Sequence, residues 1–135
     1  MATLLIVDDD TNIREVLQEL FTPAHECHTA DRAEQALAYL ELETYDVVIT
    51  DLAMPGLGGE ELLKQVQEKA PTTPVIVISG VADREAARKL IDIGAFAYFT
   101  KPYELEDVEV AVAHAITHHL ELLAKAQPPT EATLD

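Results

Sequence analysis

Short apolar segments rich in β-branched residues alternate with segments of helical periodicity along most of the chain, and few folds accommodate that alternation. The clearest apolar segments are TLLIV (3–7), DVVIT (46–50), PVIVIS (74–79) and AFAYFT (95–100), and a weaker one lies near 25–29. Continuous apolar runs of this length are typical of strands covered on both faces of a parallel sheet. We therefore predict five strands.

The segments between these strands place apolar residues three and four positions apart, which predicts a helix after each strand. The helices are expected at 11–21, after residue 31 to about 40, at 60–69, after residue 83 to about 93, and from 104 onward. Strand–helix units of this length require parallel strands joined by right-handed crossovers. The predicted fold class is therefore α/β, with a doubly wound five-stranded parallel sheet between two layers of helices.

Individual residues are expected to mark the helix ends. Asp10, Asp31 and Asp83 are predicted N-caps of the first, second and fourth helices, because a short acidic side chain can accept hydrogen bonds from the first free N–H groups. Gly94 is predicted to end the fourth helix.

The charge balance and hydropathy restrict the partners of the chain. Nine Lys and Arg residues against 25 Asp and Glu residues give a formal charge of −16, which disfavours direct binding to nucleic acid or to anionic lipid. No segment approaches the roughly 20 apolar residues that a membrane-spanning helix needs. The first residues lack the basic flank and cleavage site of a secretory signal, so we expect a cytoplasmic protein.

The length of 135 residues suits one domain, predicted at 1–124. The polar, proline-containing segment QPPTEATLD closes the chain, so 125–135 are predicted to form a flexible tail or linker.

Polar side chains follow four of the predicted strands. Asp8 and Asp9 follow the first, Asp51 the third, Ser79 ends the fourth and Lys101 follows the fifth. Ligands of open α/β sheets bind beyond the carboxyl ends of the strands, so these side chains are expected to meet in one crevice. Clustered carboxylates repel one another unless a cation compensates, and all-oxygen ligands favour Mg²⁺.

This set of side chains is suited to phosphoryl transfer. A carboxylate nucleophile needs a metal and positive groups to neutralise the phosphoryl oxygens. Lys101 offers a mobile positive charge and Ser79 a hydrogen bond to a phosphoryl oxygen. The predicted product is an aspartyl phosphate.

Four motifs then reveal a family resemblance. They are VDDD (7–10), TDLAMPGLGG (50–59), VISG (77–80) and AYFTKP (97–102). With these motifs in this order and spacing, residues 2 to about 123 resemble the receiver domain of two-component response regulators, in the CheY-like superfamily. The resemblance implies a flavodoxin-like (βα)5 fold with strand order 2-1-3-4-5.

The resemblance also implies roles for the strand-end residues. Asp51 would be the phosphoacceptor, Lys101 and Ser79 would contact the phosphoryl group, and Tyr98 would be the aromatic switch residue that moves with Ser79. The peptide bond between Lys101 and Pro102 is expected to be cis.

The implied Mg²⁺ site uses four residues. Asp9 would bind the ion directly, Asp8 mainly through water, and Ala53 through its main-chain carbonyl. Asp51 is the fourth member of the site. Ala53 and Val81 occupy the two positions that tune loss of the phosphoryl group in this family. Neither side chain can activate a water, so slow self-dephosphorylation is expected.

The implied function is a phosphorylation-dependent signalling switch. It would receive the phosphoryl group from a sensor histidine kinase or a histidine phosphotransfer protein and signal through the α4-β5-α5 face to an output domain or partner. The chain would then be a regulator that catalyses only its own phosphorylation and dephosphorylation.

The last helix carries a three-then-four spacing of mostly apolar residues that continues beyond the length of the sheet. Its members are Leu105, Val108, Val112, Ala115, His119 and Leu122. We predict that the end of this helix is exposed and that it either supports a homodimer or leads into an output domain. No function is predicted for the histidines of this helix, His114, His118 and His119.

Other functions fit the residues less well. A haloacid-type Mg²⁺-dependent phosphatase carries a second aspartate two residues after the nucleophile, where this chain has Ala53. A nucleotide-binding module needs a glycine-rich turn after the first strand, where this chain has aspartates. A receiver-like interaction module that works without phosphorylation stays open as an alternative. The glycines at 56, 58 and 59 are expected to be structural.

Overall fold

The computed structural model describes residues 1–80 and 84–126, and within them five strands alternate with five helices. In chain order the elements are β1 (Thr3–Val7), α1 (Thr11–Phe21), β2 (Glu26–Ala30), α2 (Ala33–Leu42), β3 (Val47–Asp51), α3 (Gly59–Lys69), β4 (Val75–Ser79), α4 (Arg84–Ile93), β5 (Ala97–Thr100) and α5 (Leu105–Ala126).

The strands form one parallel sheet in the order β2-β1-β3-β4-β5. The predicted fold class and strand order are therefore confirmed. Every residue of β3 and β4 is buried, as expected for central strands covered by helices on both sides.

The core has two layers because neighbouring residues of a strand point to opposite faces of the sheet. Leu4 and Ile6 of β1 pack with residues of α1 and α5, whereas Leu5 and Val7 pack with residues of α2, α3 and α4. The helices therefore cover both faces of the sheet.

The predicted helix ends were partly right. Asp10 caps α1, since its carboxylate accepts the N–H of Asn12 at 2.9 Å. Asp31 does not cap α2: the N-cap is Arg32, and the Asp31 carboxylate instead lies 3.1 Å from the Arg32 guanidinium. Because α2 begins at Ala33, Asp31 lies one residue before the N-cap position, and its backbone N–H donates to Gln35 Oε1 at 3.0 Å.

The fourth helix ends as predicted. Gly94 follows Ile93 with a φ of +128°, a backbone conformation that favours glycine. The predicted cap Asp83 lies outside the described residues.

The end of α5 is largely exposed, as predicted, but His119, a member of the three-then-four series, is buried at 1% exposure. The helix continues to Ala126, and His119 contacts Thr72 in the loop before β4 and Asp46 just before β3. Leu120, one position further, is 55% exposed. Within 1–80 and 84–126, no helix is both long and apolar enough to span a membrane.

Gly59 is the glycine that the fold requires most. A Cβ atom there would lie 2.4 Å from the carbonyl oxygen of Asp51 and 2.8 Å from the Cα of Leu52, and both contacts are with backbone. The first turn of α3 therefore lies directly against the end of β3.

We expect Gly59→Ala to lower the free energy of unfolding by about 1–3 kcal/mol, because backbone must shift to accept the methyl group. Urea denaturation measures the loss. Gly80→Ala is the matched control, since a Cβ at Gly80 meets nothing within 4 Å. Equal stabilities of the two variants would contradict the close approach.

Candidate functional site

The carboxyl ends of the central strands lie side by side. The register pairs Asp51 of β3 with Ile78 of β4, and Ser79 of β4 with Thr100 of β5. The N–H of Lys101 donates to the carbonyl of Ser79 at 2.7 Å, so the residue after β5 is held next to the end of β4. The sheet thus brings the predicted site residues to one edge.

Three carboxylates form a cluster at this edge. Asp8, Asp9 and Asp51 each place a carboxylate oxygen within 4.8 Å of the other two. Asp8 is 3% exposed and Asp51 7% exposed, whereas Asp9 is exposed. The cluster therefore has a buried base formed by Asp8 and Asp51 and an open side at Asp9.

Lys101 contributes the positive charge next to this cluster. Its Nζ lies 3.6 Å from Asp51 Oδ1 and 3.8 Å from Asp8 Oδ2. The peptide bond from Lys101 to Pro102 is cis, as predicted. The ammonium group thus lies within ion-pair distance of both buried carboxylates, and the Lys101 side chain is 28% exposed.

Asp8 has a strongly perturbed acidity. The pKa of its carboxyl is raised from 3.8 to about 6, and burial is the largest cause. The charges of Asp51 and Asp9 also raise this pKa, whereas the N–H of Asp10 and the ammonium of Lys101 lower it. The single positive charge of Lys101 does not balance the three negative charges of Asp8, Asp9 and Asp51. A hard divalent cation fits this donor set, because it would replace the missing positive charge with oxygen ligands already in place.

Two neighbours of the cluster were missed in the sequence. Arg14 donates from Nη1 to the carbonyl oxygen of Asp8 at 2.6 Å and from Nη2 to Thr11 Oγ1 at 3.2 Å. Tyr103 is partly buried, and burial followed by the charge of Asp8 raises the pKa of its hydroxyl. An arginine in the first turn of the helix after an acidic strand end was the available signal for Arg14.

Ser79 and Tyr98 lie on adjacent strands. Ser79 ends β4 and is 1% exposed, and Tyr98 pairs with Val77 in the middle of β5. The half-buried Tyr98 packs against the layer of α2, α3 and α4, whereas its neighbours Ala97 and Phe99 pack on the other face. Ala53 lies in the exposed loop that follows β3.

Comparison with known proteins identifies the family. Residues 4–113 match the family model described as response regulator receiver domain. The chain is 38% identical over 117 residues to the DNA-binding transcriptional regulator NtrC of Klebsiella pneumoniae, a match that covers 86% of this chain and 25% of that protein. The chain thus spans about a quarter of the length of this curated relative.

Solved structures support the same family assignment. The chain is similar to a response regulator receiver domain protein of Clostridium thermocellum, with a TM-score of 0.84 and 30% identity over 90% of this chain and 99% of that one. It is also similar to the response regulator TrrA of Thermotoga maritima in complex with Mg²⁺ and BeF, with a TM-score of 0.76 and 30% identity over 85% of this chain and 99% of that one. The chain belongs to the response regulator receiver domain family of two-component systems.

Proposed function

We propose that this receiver domain is a phosphorylation-dependent switch in which Asp51 accepts a phosphoryl group from a sensor histidine kinase or a histidine phosphotransfer protein. The observation that carries the proposal is the buried Asp51 carboxylate, with the ammonium of Lys101 at 3.6 Å and two further acids around it. A nucleophile, a positive charge and a divalent-cation donor set therefore occupy one edge of the sheet.

In the transfer step a carboxylate oxygen of Asp51 attacks the phosphorus atom. The new P–O bond forms as the P–N bond to the donor imidazole breaks, and the leaving imidazole keeps the electron pair and takes a proton. The ammonium of Lys101 is close enough to Asp51 to attract the oxygens of the incoming group. The hydroxyl of Ser79, at the end of the neighbouring strand, would donate to one of them.

Mg²⁺ is the proposed cofactor. Asp8, Asp9 and Asp51 would hold it with the main-chain carbonyl of Ala53, and the complex of the Thermotoga maritima relative with Mg²⁺ supports this choice. When bound, the ion neutralises charge on the phosphoryl oxygens.

The signal would pass through Ser79 and Tyr98 to the face formed by α4, β5 and α5. The phosphoryl group would bias these residues between two arrangements, which is a population shift. We propose an output partner or domain as the receiver of the signal, because the NtrC relative is about four times as long as the matched segment and is named a DNA-binding regulator. A homodimer through α5 is part of the same proposal.

We propose 1–124 as the extent of the receiver domain and 125–135 as a tail or linker, in a protein of the cytoplasm. α5 extends to Ala126, so its last residues cross this boundary.

The direct test is an intact-mass spectrum after incubation with acetyl phosphate and Mg²⁺. We expect the mass of one added phosphoryl group, and no addition once the metal is chelated. No adduct in either sample, with Mg²⁺ binding confirmed separately, would reject the phosphoacceptor function and favour a receiver domain that signals by protein contact alone.

The phosphorylated form is expected to be long-lived. The methyl group of Ala53 cannot orient or activate a water at the opening of the site, and Val81, outside the described residues, is equally apolar. After removal of acetyl phosphate, the decay of the adduct is followed by mass. A half-life of seconds in the isolated domain would contradict the expectation.

The haloacid-type phosphatase is the weaker alternative. Such a phosphatase carries a second aspartate at the position where this chain has Ala53, and the methyl group of Ala53 cannot act as an acid or a base. Hydrolysis of a generic phosphate monoester with turnover would favour it over the switch.

A further inference from the structure

Arg14 binds the main chain of the segment that carries two of the three acids. Its Nη1 donates to the carbonyl oxygen of Asp8 at 2.6 Å, and its Nη2 donates to Thr11 Oγ1 at 3.2 Å. Long helical side chains point back towards the helix N-terminus, so a residue one turn into α1 is well placed to reach the end of β1. The partly buried Arg14 therefore ties the start of α1 to the residue that follows β1.

This contact completes a set of hydrogen bonds around Asp8. The N–H of Asp8 donates to the carbonyl of Ala30 at 3.1 Å, and Asp8 Oδ1 accepts the N–H of Asp10 at 2.9 Å. The carbonyl that Arg14 binds belongs to the planar peptide group that joins Asp8 to Asp9. The bond from the guanidinium therefore restrains the plane from which the Asp9 side chain starts.

Asp9 is the acid of the cluster that depends most on such a restraint. Asp51 is the last residue of β3 and is held by the pairing with β4, and Asp8 is buried. Asp9 is exposed and lies in the short connection between β1 and α1. An exposed ligand loses conformational freedom when an ion binds, and a ligand that is already ordered loses less. Fixing the main chain beforehand therefore favours the binding of a cation.

The partners of Arg14 distinguish positioning from charge compensation. Within 1–80 and 84–126, its recorded side-chain partners are a carbonyl oxygen and a hydroxyl oxygen, and neither carries a full charge. The planar guanidinium suits such two-point binding, which the ammonium of a lysine does not reproduce. Its positive charge, by contrast, repels a cation at the acidic cluster. Loss of the charge alone would strengthen cation binding, whereas loss of the positioning would weaken it.

We propose that Arg14 is a positioning residue for the Mg²⁺ site: it holds the peptide between Asp8 and Asp9 so that the Asp9 carboxylate is already placed to bind the ion. This role rests on the proposed function, because it concerns the binding of Mg²⁺ by the acidic cluster. Loss of the guanidinium then weakens Mg²⁺ binding, although it removes a positive charge from the neighbourhood of the ion.

The affinity for Mg²⁺, measured by isothermal titration calorimetry in the absence of a phosphoryl donor, tests this role. Arg14→Met keeps an apolar stem and loses every donor, so it should bind Mg²⁺ about tenfold more weakly than wild type. Arg14→Lys should have an intermediate affinity, because its ammonium keeps the charge but not the two-point binding. Binding by Arg14→Met as tight as that of wild type, or tighter, would overturn the proposal.

Arg32→Met is the matched control for the loss of a positive charge. Arg32 lines the same surface cavity as Asp9, but among the described residues its recorded guanidinium contact is with the Asp31 carboxylate at 3.1 Å. The variant should bind Mg²⁺ at least as tightly as wild type, because it removes a charge and leaves the contact to the Asp8 carbonyl in place. Equal weakening of Mg²⁺ binding in Arg32→Met and Arg14→Met would also overturn the proposal.

A second measurement does not need the metal. Amide order parameters from nitrogen relaxation in the metal-free protein should fall at Asp9 and Asp10 in Arg14→Met, while those of β1 stay as in wild type. Unchanged order parameters at Asp9 would show that Arg14 does not hold the peptide, and would reject the role.

The calorimetry also separates this role from the proposed function. A wild-type protein that binds no Mg²⁺ would reject the proposed function, and the role of Arg14 with it. Mg²⁺ binding by wild type that Arg14→Met fully retains would reject the positioning role alone.

Discussion

Replacing Asp51 with asparagine is expected to abolish uptake of a phosphoryl group from acetyl phosphate. The amide is a far weaker nucleophile than the carboxylate, and it also removes one of the three negative charges that attract the metal. Intact-mass spectra of wild type and variant, under the same Mg²⁺ and acetyl phosphate concentrations, measure the effect.

Asp10→Asn is the control for this experiment. Asp10 belongs to the same acidic turn, but it is exposed and acts as the N-cap of α1, a position where asparagine serves as well as aspartate. It should take up phosphoryl as wild type does. An adduct of wild-type amount on Asp51→Asn would locate the modification elsewhere and remove Asp51 from its proposed role.

Asp8→Asn is expected to stabilise the metal-free protein at neutral pH. Because the folded state raises the pKa of Asp8 from 3.8 to about 6, the folded protein binds this proton more tightly than the unfolded chain does. The resulting stability is fully present below pH 3.8 and is lost as the pH rises to about 6. At about 1.4 kcal/mol for each pH unit, the charged Asp8 costs about 3 kcal/mol at neutral pH.

Urea denaturation in the presence of a chelator measures this difference. At neutral pH the free energy of unfolding of Asp8→Asn should exceed that of wild type by up to about 3 kcal/mol. This difference in free energy should narrow as the pH falls towards 4. The amide oxygen can still accept the N–H of Asp10, so that contact is retained. Added Mg²⁺ should reverse the order by stabilising wild type more than the variant. If Asp8→Asn were less stable than wild type in the absence of metal, the idea that the charged Asp8 destabilises the folded protein would be contradicted.

The sequence predicted the strands well because each was a short apolar run with a polar end. β1 agrees to the residue, and the starts or ends of the other strands differ by one or two positions. The error at Asp31 is one of position. Asp31 and Asp10 have the same side chain, but α2 begins two residues after Asp31, and the Asp31 carboxylate pairs with Arg32.

The site residues were predicted because parallel strands must end at one edge. Knowing that Asp8, Asp51 and Lys101 follow strands was enough to bring them together. The distances were not available from the sequence. The contact of Arg14 with the Asp8 carbonyl was not available either, because a position in the first turn of α1 does not show which atom the guanidinium binds. Gly59 was predicted only to be structural, and its close approach to the backbone of Asp51 was not visible in the sequence.

The sequence by itself determined the fold class, the strand order through the family resemblance, and the chemical identity of the acidic edge. The tertiary structure decided which acids are buried, and with that the perturbed pKa of Asp8. It also decided that His119 is buried while its neighbour His118 is exposed. The partners of His119, Asp46 and Thr72, lie 73 and 47 positions earlier in the chain. No local sequence pattern encodes such distant partners.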